Sequence, residues 1–412
     1  MSDTKYQILK GFRDYLPNEQ IARRKMIAKI STAFERFGFA PIATPALEPF
    51  ELFAGKLGED EKLIYKFTDL GGRQVALRYE FTASLPRFIS DHPDLPKPFK
   101  RYQIDPVWRA ENPQKGRFRE FTQCDVDIIG ADSLVADAEV IAAVNAALKS
   151  LDIGSIKVKY NNRKLIGETL AIAGISADKQ AGFMRAVDKI DKIGEKKVSA
   201  LLSDLGMPKN ALAKYSETIT EISGGFRKEF EKLLLDLEVE DVEFDPYLMR
   251  GLDYYTGPIF EISLSGKPEF GSIAGGGRYD QLVGKITGKD MPAVGCSIGL
   301  DRLFAALQEL ELIAPQSAAE VIVLNLDEDL VSDYLKMASI LRDAELDTEF
   351  YFEPSKLDKQ FKYAEAKNMK VAVIFGKDEK VQGKVNLKNL DTKKQVTVDL
   401  DDLVTQAKSM LW

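Results

Sequence analysis

Only one histidine, His92, and two cysteines, Cys124 and Cys296, occur in a chain of 412 residues. Two thiols are too few for a disulfide scaffold or a thiolate zinc site. The lone imidazole sits in SDHPDLP, a proline-rich loop suited to solvent. A Ser-His-Asp or Cys-His relay needs an imidazole held against its nucleophile, and a histidine-ligated metal is disfavoured on the same count. Catalysis here must rest on arginine, lysine, carboxylates, backbone amides or a carboxylate-bound ion.

Long apolar runs are missing as well. No stretch approaches the roughly 18 residues of a membrane span, and MSDTKYQILK lacks the apolar centre of a secretion signal. A cytoplasmic protein without membrane contact is expected. Excess positive charge is absent too: 57 Lys and Arg against 64 Asp and Glu leave a net charge of −7. That argues against DNA coating, which gains affinity by neutralising phosphates. It leaves room for a shaped RNA met by a local basic patch. What is present is ordinary globular composition, 45% hydrophobic and 29% charged, at a length that predicts two or three domains.

Pro17 and Asn18-Glu19-Gln20 precede Ile27, Ile30, Phe34 and Phe37, which predicts a capped amphipathic helix over 18–37 ended by Gly38. FAPIATP (39–45) reads as a short strand. From Tyr65 to Gly130 the period is two, an antiparallel sheet, and 132–151 is alanine-rich and helical. Strand signals vanish from 162 to 240 in favour of helical, Lys- and Glu-rich segments. They resume over Tyr247–Ser297, before a helix at Leu300–Leu310. Ala314–Ser317 reads as a linker, and EVIVLNL, TEFYF and VAVIFG with intervening helices predict a small, largely parallel α/β domain. The expected class is an α+β domain with an antiparallel sheet carrying a helical insertion, plus a C-terminal α/β domain. Its divisions are 1–161, 162–240, 241–313 and 318–412. Neither GxGxxG nor GxxxxGK[ST] opens a helix, so a dinucleotide fold or P-loop is not supported.

Period two places Arg78 and Glu80 on one face of QVALRYEFT, and Arg109 and Glu111 on one face of RYQIDPVWRAE. In FREFTQCDVDIIG, Phe121, Gln123, Asp125 and Asp127 share a face. These strands either turn a polar face to solvent or present Glu80, Arg109, Gln123 and Asp127 to one cleft. SIAGGGRYDQLV brings consecutive glycines to a helix start, which fits tight packing or close backbone approach to a ligand. In AVGCSIGLDRL, Arg302 stands in a first helical turn, where a cation opposes the helix dipole unless it meets an anion. RGLDYYTGPIF groups Arg250, Asp253, Tyr254 and Tyr255 ahead of a strand.

Six blocks in order, GFRDYLP (11–17), LRYEFT (77–82), VWRAENPQKGRFREFTQCDVDIIG (107–130), RGLDYYTGPIFE (250–261), AGGGRYDQL (274–282) and AVGCSIGLDRL (293–303), resemble the histidyl-tRNA synthetases, a family of class II aminoacyl-tRNA synthetases. The insertion and the C-terminal domain resemble the family's insertion and anticodon-binding domains. The resemblance implies a homodimer that uses histidine, ATP with Mg2+, and tRNA, with no metal held by protein side chains alone. It gives the helix at 18–37 and the strand ending at Pro45 to the dimer interface.

By the same resemblance, Arg109 grips the α-phosphate and the amino-acid carboxylate, and Arg302 holds the γ-phosphate. Glu111, Arg117 and Phe121 surround the adenine and phosphates. Arg250 neutralises the α-phosphate, so Arg250 and Arg109 are the implied catalytic residues. Glu80 and Gln123 lie by the substrate ammonium, while Asp127 and Tyr255 read the imidazole. Thr82, Arg250 again, Tyr254, Gly275 and Gly277 complete the implied histidine site. RYEFT stands where many members read RPEGT, and Asp127 where some carry Glu; both keep the acid. The segment Asp188–Lys197 fits a solvated helix face or a tRNA contact. The family has a non-catalytic relative, the regulatory subunit of ATP phosphoribosyltransferase, which typically lacks the C-terminal domain.

Overall fold

The computed structural model describes residues 6–55, 58–113, 116–250, 254–288, 290–313 and 317–411. The chain packs as two compact units. One comprises the described residues of Met1–Arg13 and Met26–Leu312, the other Asp14–Lys25 and Ile313–Trp412. Of the expected linker Ala314–Ser317, residues 314–316 lie outside the described residues.

Helix α1 (Pro17–Arg36) begins where proline's fixed φ is preorganised for a first turn. The Glu19 carboxylate accepts the Leu16 N–H at 3.2 Å, half of a capping box. Gly38, at φ +78°, ends it: Phe39 N–H reaches back to Phe34 C=O at 3.1 Å, the Schellman closure only a left-handed residue permits at low cost. The buried stripe is Met26, Ile30, Ala33 and Phe34, so Ile27 and Phe37 flank it rather than form it.

Strand β1 is only Ala40–Pro41, shorter than the expected 39–45. Strands β2 (Leu47–Pro49), β3 (Lys66–Thr68) and β4 (Gln74–Leu77) form a three-stranded sheet of order β2-β4-β3. Helix α2 (Ser84–Asp91) leads to the long strands β5 (Phe99–Trp108) and β6 (Glu120–Ile129), and α3 (Leu134–Lys149) follows. After β7 (Ile156–Asn162) come the helices α4 (Arg163–Ile172), α5 (Ala177–Val187), α6 (Ile190–Ile193), α7 (Glu195–Asp204), α8 (Ala211–Ile222) and α9 (Gly224–Asp236). Strands β8 (Val242–Phe244), β9 (Pro258–Leu264) and β10 (Ser272–Arg278), helix α10 (Asp280–Thr287), β11 (Ala293–Gly299) and α11 (Leu300–Glu309) complete the unit.

The principal sheet has eight strands in the order β1-β5-β6-β11-β10-β9-β7-β8. Pairing is antiparallel throughout except at its two ends, where β1 joins β5 and β8 joins β7 in parallel. The expectation of one antiparallel sheet over 65–130 is corrected: β3 and β4 belong to the small sheet, β5 and β6 to the large one. Along β6 the period of two separates Cys124, Val126 and Ile128, all buried in the core, from Gln123, Asp125 and Asp127. Burying each such Val or Ile contributes about 1.5–3 kcal/mol. Helix α3 packs on β6 and β11, and α11 on β6 and β10.

The insertion helices share a core with the sheet. Phe183, Leu202 and Tyr215 lie in one apolar cluster with Met249, Tyr255 and Ile259. Tyr215 also donates its hydroxyl to Pro246 C=O at 2.8 Å, anchoring the segment that leads to Arg250.

In the second unit, β12 (Val321–Val323), α12 (Val331–Asp343), β13 (Thr348–Phe350), α13 (Leu357–Ala366) and β14 (Val371–Ile374) make the parallel core. Helix α14 (Lys377–Gln382), β15 (Lys384–Asn389), β16 (Gln395–Asp399) and α15 (Leu403–Leu411) follow. The sheet order is β13-β12-β14-β15-β16, and β15 and β16 pair antiparallel. The sheet is therefore mixed, not largely parallel: a hairpin turning at Asp391–Lys394 extends it.

Candidate active site

A cleft of about 480 Å³ opens on the polar side of β6. Of the residues expected to carry chemistry, Glu80, Thr82, Arg109, Glu111, Arg117, Phe121, Gln123, Asp127, Arg250, Tyr254, Tyr255, Gly275 and Arg302 line it, joined by Asp125, Glu261, Tyr279 and Asp301. Gly277 does not line it. A β-carbon there would lie 2.6 Å from Pro258 C=O and 3.0 Å from the Tyr255 ring, so this glycine serves packing against β9. Asp253 lies outside the described residues.

Four expected strand positions, Arg78, Glu80, Arg109 and Glu111, are not on strands. β4 ends at Leu77, and the chain turns, breaking the alternation. Arg78 points away and donates Nε to Pro106 C=O at 2.8 Å and Nη1 to Thr44 C=O at 2.6 Å. It is a buried brace, while Glu80 reaches the cleft. Arg109 and Glu111 follow the last residue of β5. Arg109 is held by its Nε donating to Tyr79 C=O at 3.1 Å and by Nη2 approaching Gln123 Oε1 at 3.4 Å. The Tyr79 and Phe121 rings lie 4.4 and 5.2 Å from its guanidinium carbon, stacking that restricts the fork without consuming all its donors.

Arg250 adopts φ +51°, a left-handed conformation that non-glycine residues seldom hold outside over-determined sites. Its Nη1 donates to Glu261 Oε1 on β9 at 2.7 Å. It crosses β10 at Gly275, where a β-carbon would sit 2.3 Å from Nη1. The glycine run thus has a physical reason that sequence alone did not supply: Gly275 leaves room for a distant arginine. Asp188, at the end of α5, stands near the same group. Burial and Glu261 push its carboxyl up, and Arg250 opposes them.

The floor is a cross-strand polar ladder, with Arg101 opposite Asp127, Gln103 opposite Asp125 and Asp105 opposite Gln123. Gln123 donates Nε2 to Asp125 Oδ1 at 2.9 Å. Asp127 Oδ2 lies 2.6 Å from Arg101 Nη2, and its Oδ1 accepts the Tyr279 hydroxyl. Burial pushes the Asp127 carboxyl up to about 6; Arg101 pulls it down, Asp125 adds to the rise and the Tyr279 hydrogen bond lowers it. Tyr254 packs against Tyr255 and edge-on to Tyr279 at 4.8 and 6.1 Å between centroids.

At the other end of the cleft, Arg302 donates Nη1 to Ser272 C=O at 2.6 Å. Its pKa is lowered by burial and by the like charge of Arg117, with Glu261 and Glu111 opposing. Two guanidinium groups converging this way form a site for an anion. Beside them Asp301 accepts Arg13 Nη2 at 2.5 Å and the Thr122 N–H at 2.6 Å, and Arg13 lies 4.0 Å over the Phe118 ring. Arg101, Tyr279, Glu261 and Arg13 were not singled out by the sequence. Arg101 was within reach of it, since the same alternation that marks Gln123 and Asp127 on β6 runs through Arg101, Gln103 and Asp105 on β5.

Residues 11–303 match the family model described as histidyl-tRNA synthetase, and residues 320–410 match one described as an anticodon binding domain. A histidine–tRNA ligase of Rhodopirellula baltica is 41% identical over 95% of this chain and 94% of its own length. One of Korarchaeum cryptofilum is 38% identical over 98% and 99%. The crystal structure of histidyl-tRNA synthetase from Nostoc sp. PCC 7120 superposes with a TM-score of 0.87 at 32% identity, covering 99% of this chain and 100% of that one. With the family model covering most of the chain and these relatives matching it nearly end to end, the chain belongs to the histidyl-tRNA synthetase family.

Proposed function

We propose that this protein attaches histidine to its cognate tRNA in two steps. The histidine carboxylate attacks the α-phosphorus of ATP in line, and pyrophosphate leaves with the electrons of the broken P–O bond. The adenylate's carbonyl carbon is then attacked by a hydroxyl of the tRNA's 3′-terminal adenosine, and AMP departs. The observation that carries this reading is the convergence of Arg109, Arg117, Arg250 and Arg302 on a cleft whose floor holds the buried Asp127. Phosphoryl chemistry of this kind rests on positioning and charge stabilisation, which arginines supply without a histidine base.

Arg109 and Arg250 bracket the α-phosphate, Arg302 and Arg117 meet the outer phosphates, and Glu111 and Phe121 bound the adenine. Glu80 and Gln123 take the ammonium, with Thr82, Tyr254 and Gly275 closing around the amino acid. Asp127 and Tyr255 bond the imidazole nitrogens. Mg2+ belongs with the phosphates of ATP. Among the described residues no group of three or more carboxylate, histidine or cysteine side chains is placed to hold a metal. The cleft carboxylates Glu111, Glu261 and Asp301 face Arg117, Arg250 and Arg13.

The match at 320–410 to an anticodon-binding domain favours the ligase over the regulatory-subunit reading. The proposed division is catalytic at 1–161 and 241–313, helical insertion at 162–240 and anticodon-binding at 318–412. The proposed assembly is a cytoplasmic homodimer through α1 and β1. In its support, β1 is a sheet edge, and Ile8, Leu9 and Leu47 are exposed apolar residues of the N-terminal part of the chain. Histidine-dependent ATP–pyrophosphate exchange tests the activity, and its absence from pure folded protein would overturn the reading. Sedimentation as a monomer at micromolar concentration would overturn the dimer.

A further inference from the structure

We propose that Arg101, which does not line the cleft, is the positioning residue that holds Asp127 as an ionised acceptor for the substrate imidazole. The inference rests on the reading that Asp127 contacts the imidazole.

Arg101 has no solvent exposure, the most complete burial among the charged side chains of the sheet. Among the described residues none of its guanidinium nitrogens finds a well-aligned hydrogen-bond partner, and its ion pair, Nη2 to Asp127 Oδ2 at 2.6 Å, is with Asp127. A buried ion pair is seldom a net gain over apolar residues of equal volume. Packing therefore gives no reason for an arginine here, whereas the charge state of its cross-strand partner does.

The groups facing Asp127 come from every neighbouring element. They are Arg101 from β5, Asp125 on its own strand, the Cys296 thiol from β11 and the Tyr279 hydroxyl from the end of β10. Burial and Asp125 favour a proton on the carboxyl. Arg101 is the one full positive charge among these neighbours and the main force against that proton. Tyr279 hydrogen-bonds one oxygen and Arg101 pairs ionically with the other, which holds the rotamer. A carboxylate has about four acceptor positions, so with these two occupied about two remain, enough to take the substrate. If the carboxyl were protonated it would offer a donor where an imidazole N–H needs an acceptor.

The experiment uses the full chain with Arg101→Met, Arg101→Lys, Asp127→Asn and the Arg101→Met/Asp127→Asn pair, with Arg101→Gln as the neutral variant should Arg101→Met not fold. Pyrophosphate exchange gives KM for histidine and for ATP from pH 6 to 9. Loss of one charge-assisted bond predicts a rise of about tenfold or more in KM for histidine at pH 7 in Arg101→Met. KM for ATP should stay near the wild-type value, and Arg101→Lys should recover part of the loss. The ratio of variant to wild-type kcat/KM for histidine should climb with pH, because the substrate's own titration is common to both and cancels. On the Asp127→Asn background, Arg101→Met should add nothing. A pH-independent ratio, or a full additive loss in the pair, would make Arg101 a packing residue and overturn the proposal. If Asp127→Asn leaves KM for histidine unchanged, the reading of Asp127 itself fails. If Asp127→Asn raises it and the neutral Arg101 variant does not, only the role of Arg101 fails.

Discussion

Gly295 on β11 faces Asp127 on β6 so closely that a β-carbon at position 295 would lie 1.8 Å from Oδ1 and 2.6 Å from the carboxyl carbon. No real contact is that short, so the carboxylate occupies the space a side chain would take. Gly295→Ala must therefore move Asp127 away from Tyr279 and Arg101, its two partners. The expected outcome is a rise in KM for histidine of about tenfold or more, with KM for ATP little changed. Steady-state exchange kinetics check it. Equal rises in both constants would mean that the substitution disturbs the whole sheet.

Gly275 has the same relationship to Arg250, with a β-carbon at 2.3 Å from Nη1. Gly275→Ala pushes the guanidinium off its seat on Glu261, and an ångström of misplacement costs about 10²-fold in rate. Arg250→Ala removes the cation altogether, and a loss in kcat of about 10²–10³-fold or more is expected. Histidine binding by calorimetry should fall much less than the rate in both variants, because Asp127 keeps its partners Arg101 and Tyr279. Equal losses of rate and of histidine affinity would contradict the role given to Arg250.

The pH dependence of stability follows from the Asp127 carboxyl, raised from 3.8 to about 6 in the folded protein by burial, with Arg101 opposing. A raised folded pKa means the folded state binds the proton more tightly than the unfolded chain does. The stability Asp127 contributes is thus fully present below about pH 4 and is lost as pH rises through about 6. Asparagine at 127 does not titrate. Wild-type stability relative to Asp127→Asn should therefore fall by roughly 3 kcal/mol between those limits and stay level above them. Denaturant unfolding of both proteins from pH 4.5 to 7.5 tests this, and a difference that does not change with pH would refute the shift.

Much of the site was legible because β6 is a long antiparallel strand with one apolar and one polar face. Period two alone grouped Phe121, Gln123, Asp125 and Asp127 on one face, but whether that face met solvent or a cleft depended on the neighbouring elements, which periodicity does not give. Arg78 was misplaced because the alternation assumes a strand that in fact stops at Leu77. Glycine in SIAGGGR was visible as a signal but not as a reason. The side chain that needs the space at Gly275 comes from Arg250, 25 positions earlier in the chain. The partnership of Arg101 with Asp127 depends on hairpin register, which side-chain periodicity within either strand does not determine. In the second unit, β15 and β16 escaped because short polar-apolar strands around DTKK carry little apolar contrast.

Arg13 joins segments that are far apart in the chain. It donates to Asp301 in the first turn of α11 at 2.5 Å and stacks at 4.0 Å on Phe118, which follows Arg117 in the loop between β5 and β6. Asp301 in turn accepts the Thr122 N–H on β6 at 2.6 Å. The arginine therefore fixes the start of the helix that carries Arg302 relative to the loop that carries Arg117, the pair assigned to the outer phosphates. Arg13→Ala removes both the cation and the stacking surface. Its expected effect is a rise in KM for ATP of about tenfold, the scale of one lost charge-assisted hydrogen bond. KM for histidine should move by less than about twofold on the same scale, because the imidazole end of the cleft is built from β5, β6 and Tyr279. Arg13→Lys keeps the charge but not the planar stacking fork, so it should fall between wild type and alanine. If Arg13→Ala instead raised KM for histidine alone, the assignment of the Arg302 end of the cleft to ATP would have to be reversed.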